Sequence, residues 1–222
     1  MFLSNKRFVL SISLCFLLSG AFAQSHASDV LAFQEKLNKS YADPIKSPLS
    51  KEKLQEFEGL PFFPIDESYR VVATFQKLPK VDLHTFKTSD NRLRDYEKYG
   101  IATFTLDGKE MQLTLFKSIS KVITPGYENS LFVPFTDLTN GKETYGGGRY
   151  MDVEIPEGDS IVLDFNKAYN PYCAYSTNYS CPIPPKENDL PISINAGLKI
   201  KEKKPRLIVA QGGMTKPKVS LN

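Results

Sequence analysis

Between Tyr69 and Ile194 apolar residues fall mostly at every second position, in short runs broken by Gly, Pro, Asn and Asp. That is the repeat of a half-buried strand, not of a helix. Tyr69, Val71, Ala73 and Phe75 alternate with Arg70, Val72, Thr74 and Gln76, and Val81, Leu83 and Thr85 continue the pattern. Ile101–Leu106 and Met111–Phe116 flank Asp107-Gly108, a pairing whose tolerance of positive φ favours a two-residue hairpin. Leu131–Phe135, Arg149–Ile155, Ile161–Phe165 and Ile192–Ile194 bring the expected total to about eight strands. No crossover helices separate these runs, which excludes a parallel sheet. The chain is expected to be mainly β, an antiparallel sandwich or partly closed barrel.

Two short helices are expected ahead of the strands. Val30, Phe33, Leu37 and Tyr41 recur at helical spacing up to Asp43-Pro44. Ser50 offers an N-cap for a helix through Lys51–Phe57, and Gly59 supplies its end. Residues 1–23 read as a signal peptide: Lys6 and Arg7, an apolar run from Phe8 to Leu18, then Ala21-Phe22-Ala23. That run falls short of the about 20 residues that span a bilayer. Removal of the leader leaves 222 − 23 = 199 residues and lowers the net charge from +3 to +1. A single β-rich domain is expected over 24–198. A basic, flexible tail is expected over 199–222, where six lysines and one arginine face one acid. The destination is periplasmic or secreted. So balanced a charge gives no footprint for nucleic acid, and no membrane span is expected after leader removal.

Loss of Cys15 with the leader leaves Cys173 and Cys181, with seven residues between them. In an oxidising compartment their default state is a disulfide, which in the chain-entropy account stabilises by about 2–3 kcal/mol. A zinc pair lacks two further ligands at suitable spacing, so neither a metal nor a cofactor is expected.

The candidate site lies in Pro134–Asn188, where polar, aromatic and glycine residues crowd between short apolar runs. Gly146-Gly147-Gly148 precedes Arg149; three absent β-carbons permit close backbone approach, and a guanidinium binds carboxylate or phosphate bidentately. A bulged connection into the strand, with Asp137 pairing Arg149 to order the loop, is the purely structural reading of the same residues. The leading expectation is a small polar or anionic ligand held by Glu143, Tyr145, Arg149, Asn166, Asn170, Glu187 and Asn188. The first alternative is a hydrolase with Asp137 or Glu143 as acid or base. A structural or envelope-interaction module is the second. Nucleophilic catalysis has little to stand on: His26 and His84 are the only histidines, and no G-x-S-x-G elbow is present.

Longer motifs also stand out. P-F-x-D-x-T-x-G-x-E-T-Y-G-x-G-R-Y occupies Pro134–Tyr150, and L-D-F-N-x-A-Y-N-P-x-C-A-Y occupies Leu163–Tyr175. C-P-x-P-P-x-E-N-x-L follows at Cys181–Leu190, with Ala196-Gly197 beyond. Together with Ser47-Pro48-Leu49 and Gly59–Pro64, these resemble the domain-of-unknown-function 1684 family over residues 30–198. The resemblance implies no established activity. Similar proteins also occur without a leader, which implies room for a thiol or metal role at the two cysteines.

Overall fold

The computed structural model describes residues 25–120 and 126–200. The expected leader and most of the expected tail lie outside them. Six antiparallel strands form one sheet, in the order β5-β4-β3-β2-β1-β6. They are β1 (Arg70–Lys87), β2 (Leu93–Leu106), β3 (Lys109–Ser118), β4 (Ser130–Phe135), β5 (Arg149–Glu154) and β6 (Ser160–Asp164). The sheet curls into a nearly closed barrel whose two edges, β5 and β6, are consecutive in sequence.

The eight expected strands become six for two reasons. Arg70–Gln76 and Val81–Thr85 belong to the single strand β1, with Tyr69 in the 3-10 turn before it; Pro79 interrupts the β1–β2 register between Lys77 and Asp82 without turning the chain. Proline lacks the ladder donor, so a bulge absorbs it. Ile192–Ile194 is not a strand, although both isoleucines are buried. Its backbone is held instead by Leu138 N–H, which donates to Ile192 O, and by the Asp137–Arg149 pair. The Asp107-Gly108 hairpin forms as expected: both residues have positive φ, 51° and 70°, and Leu106 faces Lys109.

Period-2 alternation sorts each strand into two faces. Leu131, Val133 and Phe135 of β4 and Met151 of β5 join Leu113, Leu115, Leu163 and Phe165 in the barrel core. Phe132, Tyr150 and Asp152 point the other way, with Phe132 opposite Asp152 in register. Helix α1 (residues 25–42) and helix α2 (Lys51–Gln55) precede the barrel. α1 is longer than the short helix expected. It buries Val30 and Tyr41 completely, and Tyr41 meets Tyr172 and Tyr175 edge-on at 5.8 and 5.1 Å. A His26–Asp164 contact of 3.0 Å ties α1 to β6. Ser50 Oγ caps α2 by accepting from Lys53 N–H. At the other end, Lys199 and Ile200 still bond to the domain, donating to Pro61 O and Glu143 O.

Among the described residues no helix is long and apolar enough to cross a membrane.

Candidate functional site

The outer face of β4 and β5 is roofed by α1 and by the irregular segment from Tyr169 to Pro182, and the roof leaves a cavity of about 470 Å3. Ser130, Phe132, Tyr150 and Asp152 form its floor, and Tyr96 of β2 and Ser118 of β3 extend it. Phe33 and Leu37 of α1, with Tyr172, Tyr179, Cys181 and Pro182, close the opposite side. Tyr150 and Tyr169 exchange backbone hydrogen bonds of 2.9 Å in both directions, which docks the roof on the free edge of β5. Tyr150 OH also donates to Pro182 O. The rings lie against one another, with centroids 4.7 Å apart for Phe132–Tyr150 and 5.0 Å for Tyr172–Tyr179.

Among the described residues, Asp152 is the one carboxylate on these walls, and no lysine or arginine lines them. Its Oδ2 accepts from Tyr169 OH at 2.6 Å. Water reaches the carboxyl through the cavity, but protein surrounds its other sides. This partial loss of hydration pushes its pKa up to about 6, and the Tyr169 hydrogen bond opposes the rise. A second cavity, of about 960 Å3, shares Phe33, Tyr127, Ser130, Asp152 and Tyr169 with the first and follows the gap between β5 and β6. Six acids line it (Asp29, Glu128, Asp152, Glu154, Glu157 and Asp164) against three bases, Lys36, Arg70 and Lys167. The joined space is electronegative.

The seven residues expected to hold the ligand do not line either cavity. Arg149 is fully buried on the barrel side: Nη2 donates to Asp137 Oδ2 at 2.7 Å and to Ile194 O at 2.9 Å, and Nη1 to Ala196 O at 2.5 Å. Asn188 is fully buried and clips β3 to β4, accepting from Thr114 N–H and donating to Thr114 O and Pro134 O. Asn166 accepts from Asp66 N–H and donates to Asp66 O, which pins the segment entering β1. Asn170 donates to Tyr175 OH and Lys199 O, and its Oδ1 has no partner. Glu143 is exposed, and Glu187 forms an ion pair of 2.9 Å with Lys98. Arg149 and the three asparagines thus satisfy buried backbone groups.

The two carboxylates expected for hydrolysis differ in setting: Glu143 is exposed and Asp137 is buried. Asp137 is enclosed, and its Oδ1 accepts from Thr139 N–H, Thr139 Oγ and Ile194 N–H. Of the three glycines, only Gly148 has positive φ, 90°, where a β-carbon would stand 2.7 Å from Phe135 O. The run is a turn into β5, closed by Gly148 N–H donating to Tyr145 O.

Cys173 and Cys181 are free thiols in contact: Cys173 N–H donates to Cys181 Sγ at 3.2 Å, and Tyr145 OH lies 3.9 Å from Cys173 Sγ. Among the described residues no three His, Cys, Asp or Glu side chains gather as a metal centre requires.

Asp152, Tyr96, Tyr127, Tyr169 and the α1 residues escaped the sequence reading. The signal was in Arg149–Glu154: once Arg149 and Met151 point inward, Tyr150 and Asp152 share the outer face. A tyrosine beside an aspartate on a face the core does not need marks a floor awaiting a roof.

No protein of curated function matches this chain. The solution NMR structure of an uncharacterized protein from Haloarcula marismortui is 34% identical, covers 81% of this chain and 97% of its own, and superposes with a TM-score of 0.65. The sequence model of the family described as protein of unknown function (DUF1684) matches residues 55–199. With the motifs from Pro134 to Leu190 inside that span, the chain belongs to the DUF1684 family.

Proposed function

We propose that this is an exported domain that binds a small ligand in the tyrosine-walled cavity over β4 and β5. The ligand is aromatic or apolar over most of its surface and directs one positive charge or hydrogen-bond donor at Asp152. The observation that carries this reading is the wall chemistry: among the described residues, one carboxylate, six tyrosines and no basic side chain surround about 470 Å3. Ligand cavities commonly measure about 300–1,000 Å3 and combine aromatic walls with a few converging polar groups. Aromatic faces attract cations, by about 0.5–2 kcal/mol each, whereas an anion would meet Asp152 and an annex in which six acids stand against three bases. The anion anchor expected at Arg149 is committed to Asp137.

The test is a titration monitored by NMR with two probes of similar size and opposite charge, benzylammonium and benzoate. Benzylammonium should shift tyrosine resonances of the cavity, and Asp152→Asn should weaken it about tenfold, the equivalent of about 1.4 kcal/mol. Equal binding of benzoate, or no response to either probe, defeats the proposal. A hydrolytic reading, framed on Asp137 or Glu143, gains a further candidate in Asp152, whose raised pKa suits a general acid near neutrality.

A further inference from the structure

The loop between Cys173 and Cys181 leaves the cavity roof and returns to it, and its two ends are locked independently. Cys173 sits in the short 3-10 turn Tyr172–Ala174 behind Pro171, where Ala174 N–H donates to Pro171 O. Cys181 is held against the β1 end: its N–H donates to Ser89 Oγ, its carbonyl accepts from Ser89 N–H, and Ile183 N–H donates to Lys87 O. These anchors bring together two thiols that have no other covalent or metal partner among the described residues. Their settings differ. Cys173 is half-buried, beside Tyr145 OH, whereas Cys181 is only 8% exposed and faces the cavity.

From this geometry we infer that Cys173 and Cys181 form a thiol–disulfide exchange site for low-molecular-weight disulfides, with Cys173 as the attacking thiol and Cys181 as the resolving one. The Cys173 thiolate attacks one sulfur of the small disulfide and displaces its other half as a thiolate, forming a mixed disulfide. Cys181 gives its proton to that departing thiolate and attacks the Cys173 sulfur, releasing the second half, which takes the proton that Cys173 had lost. Two electrons pass from the protein dithiol to the small disulfide, and two small thiols leave. Accessibility assigns the roles, since Cys173 is half-buried and Cys181 only 8% exposed, so a small disulfide meets the Cys173 sulfur more readily. A thiol–thiol hydrogen bond from Cys181 to Cys173 agrees: as its acceptor Cys173 has its pKa drawn down to about 6, while that of Cys181 is pushed up by giving the proton and by burial. Tyr145, raised to about 12 mainly by burial and then by Cys173, stays protonated and able to donate. The assignment rests on the thiols alone and stands whatever the cavity holds.

The experiment incubates the purified chain in glutathione buffers of graded redox ratio, quenches with acid, alkylates and maps peptides by mass spectrometry, which separates both cysteines from Cys15. Cys173 and Cys181 should become linked in one two-electron step. Cys181→Ser should accumulate a glutathione adduct at Cys173, and Cys173→Ser should acquire one at Cys181 at least about tenfold more slowly. Iodoacetamide on the reduced wild type supplies a reading independent of whether either variant folds: Cys173 should be alkylated at least about tenfold faster than Cys181. Two thiols that remain unlinked in excess glutathione disulfide, or equal reactivity of the pair, overturn the inference.

Discussion

Replacing Arg149 by methionine tests whether this buried cation is a clamp for the barrel or an anchor for a ligand. Its guanidinium makes three contacts: Asp137 Oδ2 at 2.7 Å, Ile194 O at 2.9 Å and Ala196 O at 2.5 Å. Methionine fills much of the volume and supplies none of them. A buried carboxylate stripped of its partner costs about 3–5 kcal/mol, and a carbonyl left without a donor about 1–3 kcal/mol. These penalties overlap, because water admitted by the shorter side chain serves more than one acceptor. The expected loss is therefore about 4–5 kcal/mol, a large part of the about 5–15 kcal/mol by which such domains are stable. With a urea slope of about 2 kcal/mol/M the unfolding midpoint moves down by about 2 M. Circular dichroism is the suitable probe, since the chain has no tryptophan. Adding Asp137→Asn removes the second charge while its oxygen can still serve Thr139 and Ile194. The double variant should recover about 2–3 kcal/mol relative to the sum of the singles. A single-variant loss below about 1 kcal/mol, or no coupling in the cycle, would refute the clamp.

Two further predictions follow from local geometry. Asp152 has a folded pKa of about 6 against 3.8 for an ordinary aspartate, so folding favours its protonated form. Its contribution to stability is complete below about pH 4 and is lost as pH rises through about 6. The melting temperature of Asp152→Asn should therefore gain on that of the wild type between pH 4 and 7, and a constant difference across that range contradicts the account. In the glycine run, Gly148→Ala forces a β-carbon to φ 90° and within 2.7 Å of Phe135 O, whereas at Gly146 the nearest atom is 3.6 Å away. Alanine at 148 should cost about 2–3 kcal/mol and at 146 less than about 0.5 kcal/mol; equal losses in urea unfolding would mean that the turn is not what the glycine serves.

Local chemistry was legible where it acts on neighbours. The change from helical to alternating period before β1, the cap at Ser50, the face of α1 carrying Val30 and Tyr41, and the Asp107-Gly108 turn each depend on a few adjacent residues. The Asp137–Arg149 pair was also visible as a structural alternative, because a cation on the inward face of a strand needs an acid near it. The strand count was not. Whether Pro79 bends a strand or ends it, and whether Ile192–Ile194 pairs with a neighbour, depends on partners tens of residues away.

The candidate site shows the same division more sharply. Polar residues crowded into Pro134–Asn188 suggested ligand contacts, yet Asn166 is consumed by the backbone of Asp66 ahead of β1 and Asn188 by the backbone of β3 and β4. Composition cannot separate those uses, since an amide that binds a ligand and one that binds a carbonyl are the same residue. By itself the sequence determined the repeat that makes strands, the inward and outward faces of each strand, and the segment in which exposed chemistry gathers. Only the tertiary structure decided that α1 and the Tyr169–Pro182 segment cover the outer face of β4–β5 without filling it. Alternation dictates which side chains share a face, whereas a cavity arises from the separation between two surfaces, set by long-range packing that no local pattern encodes.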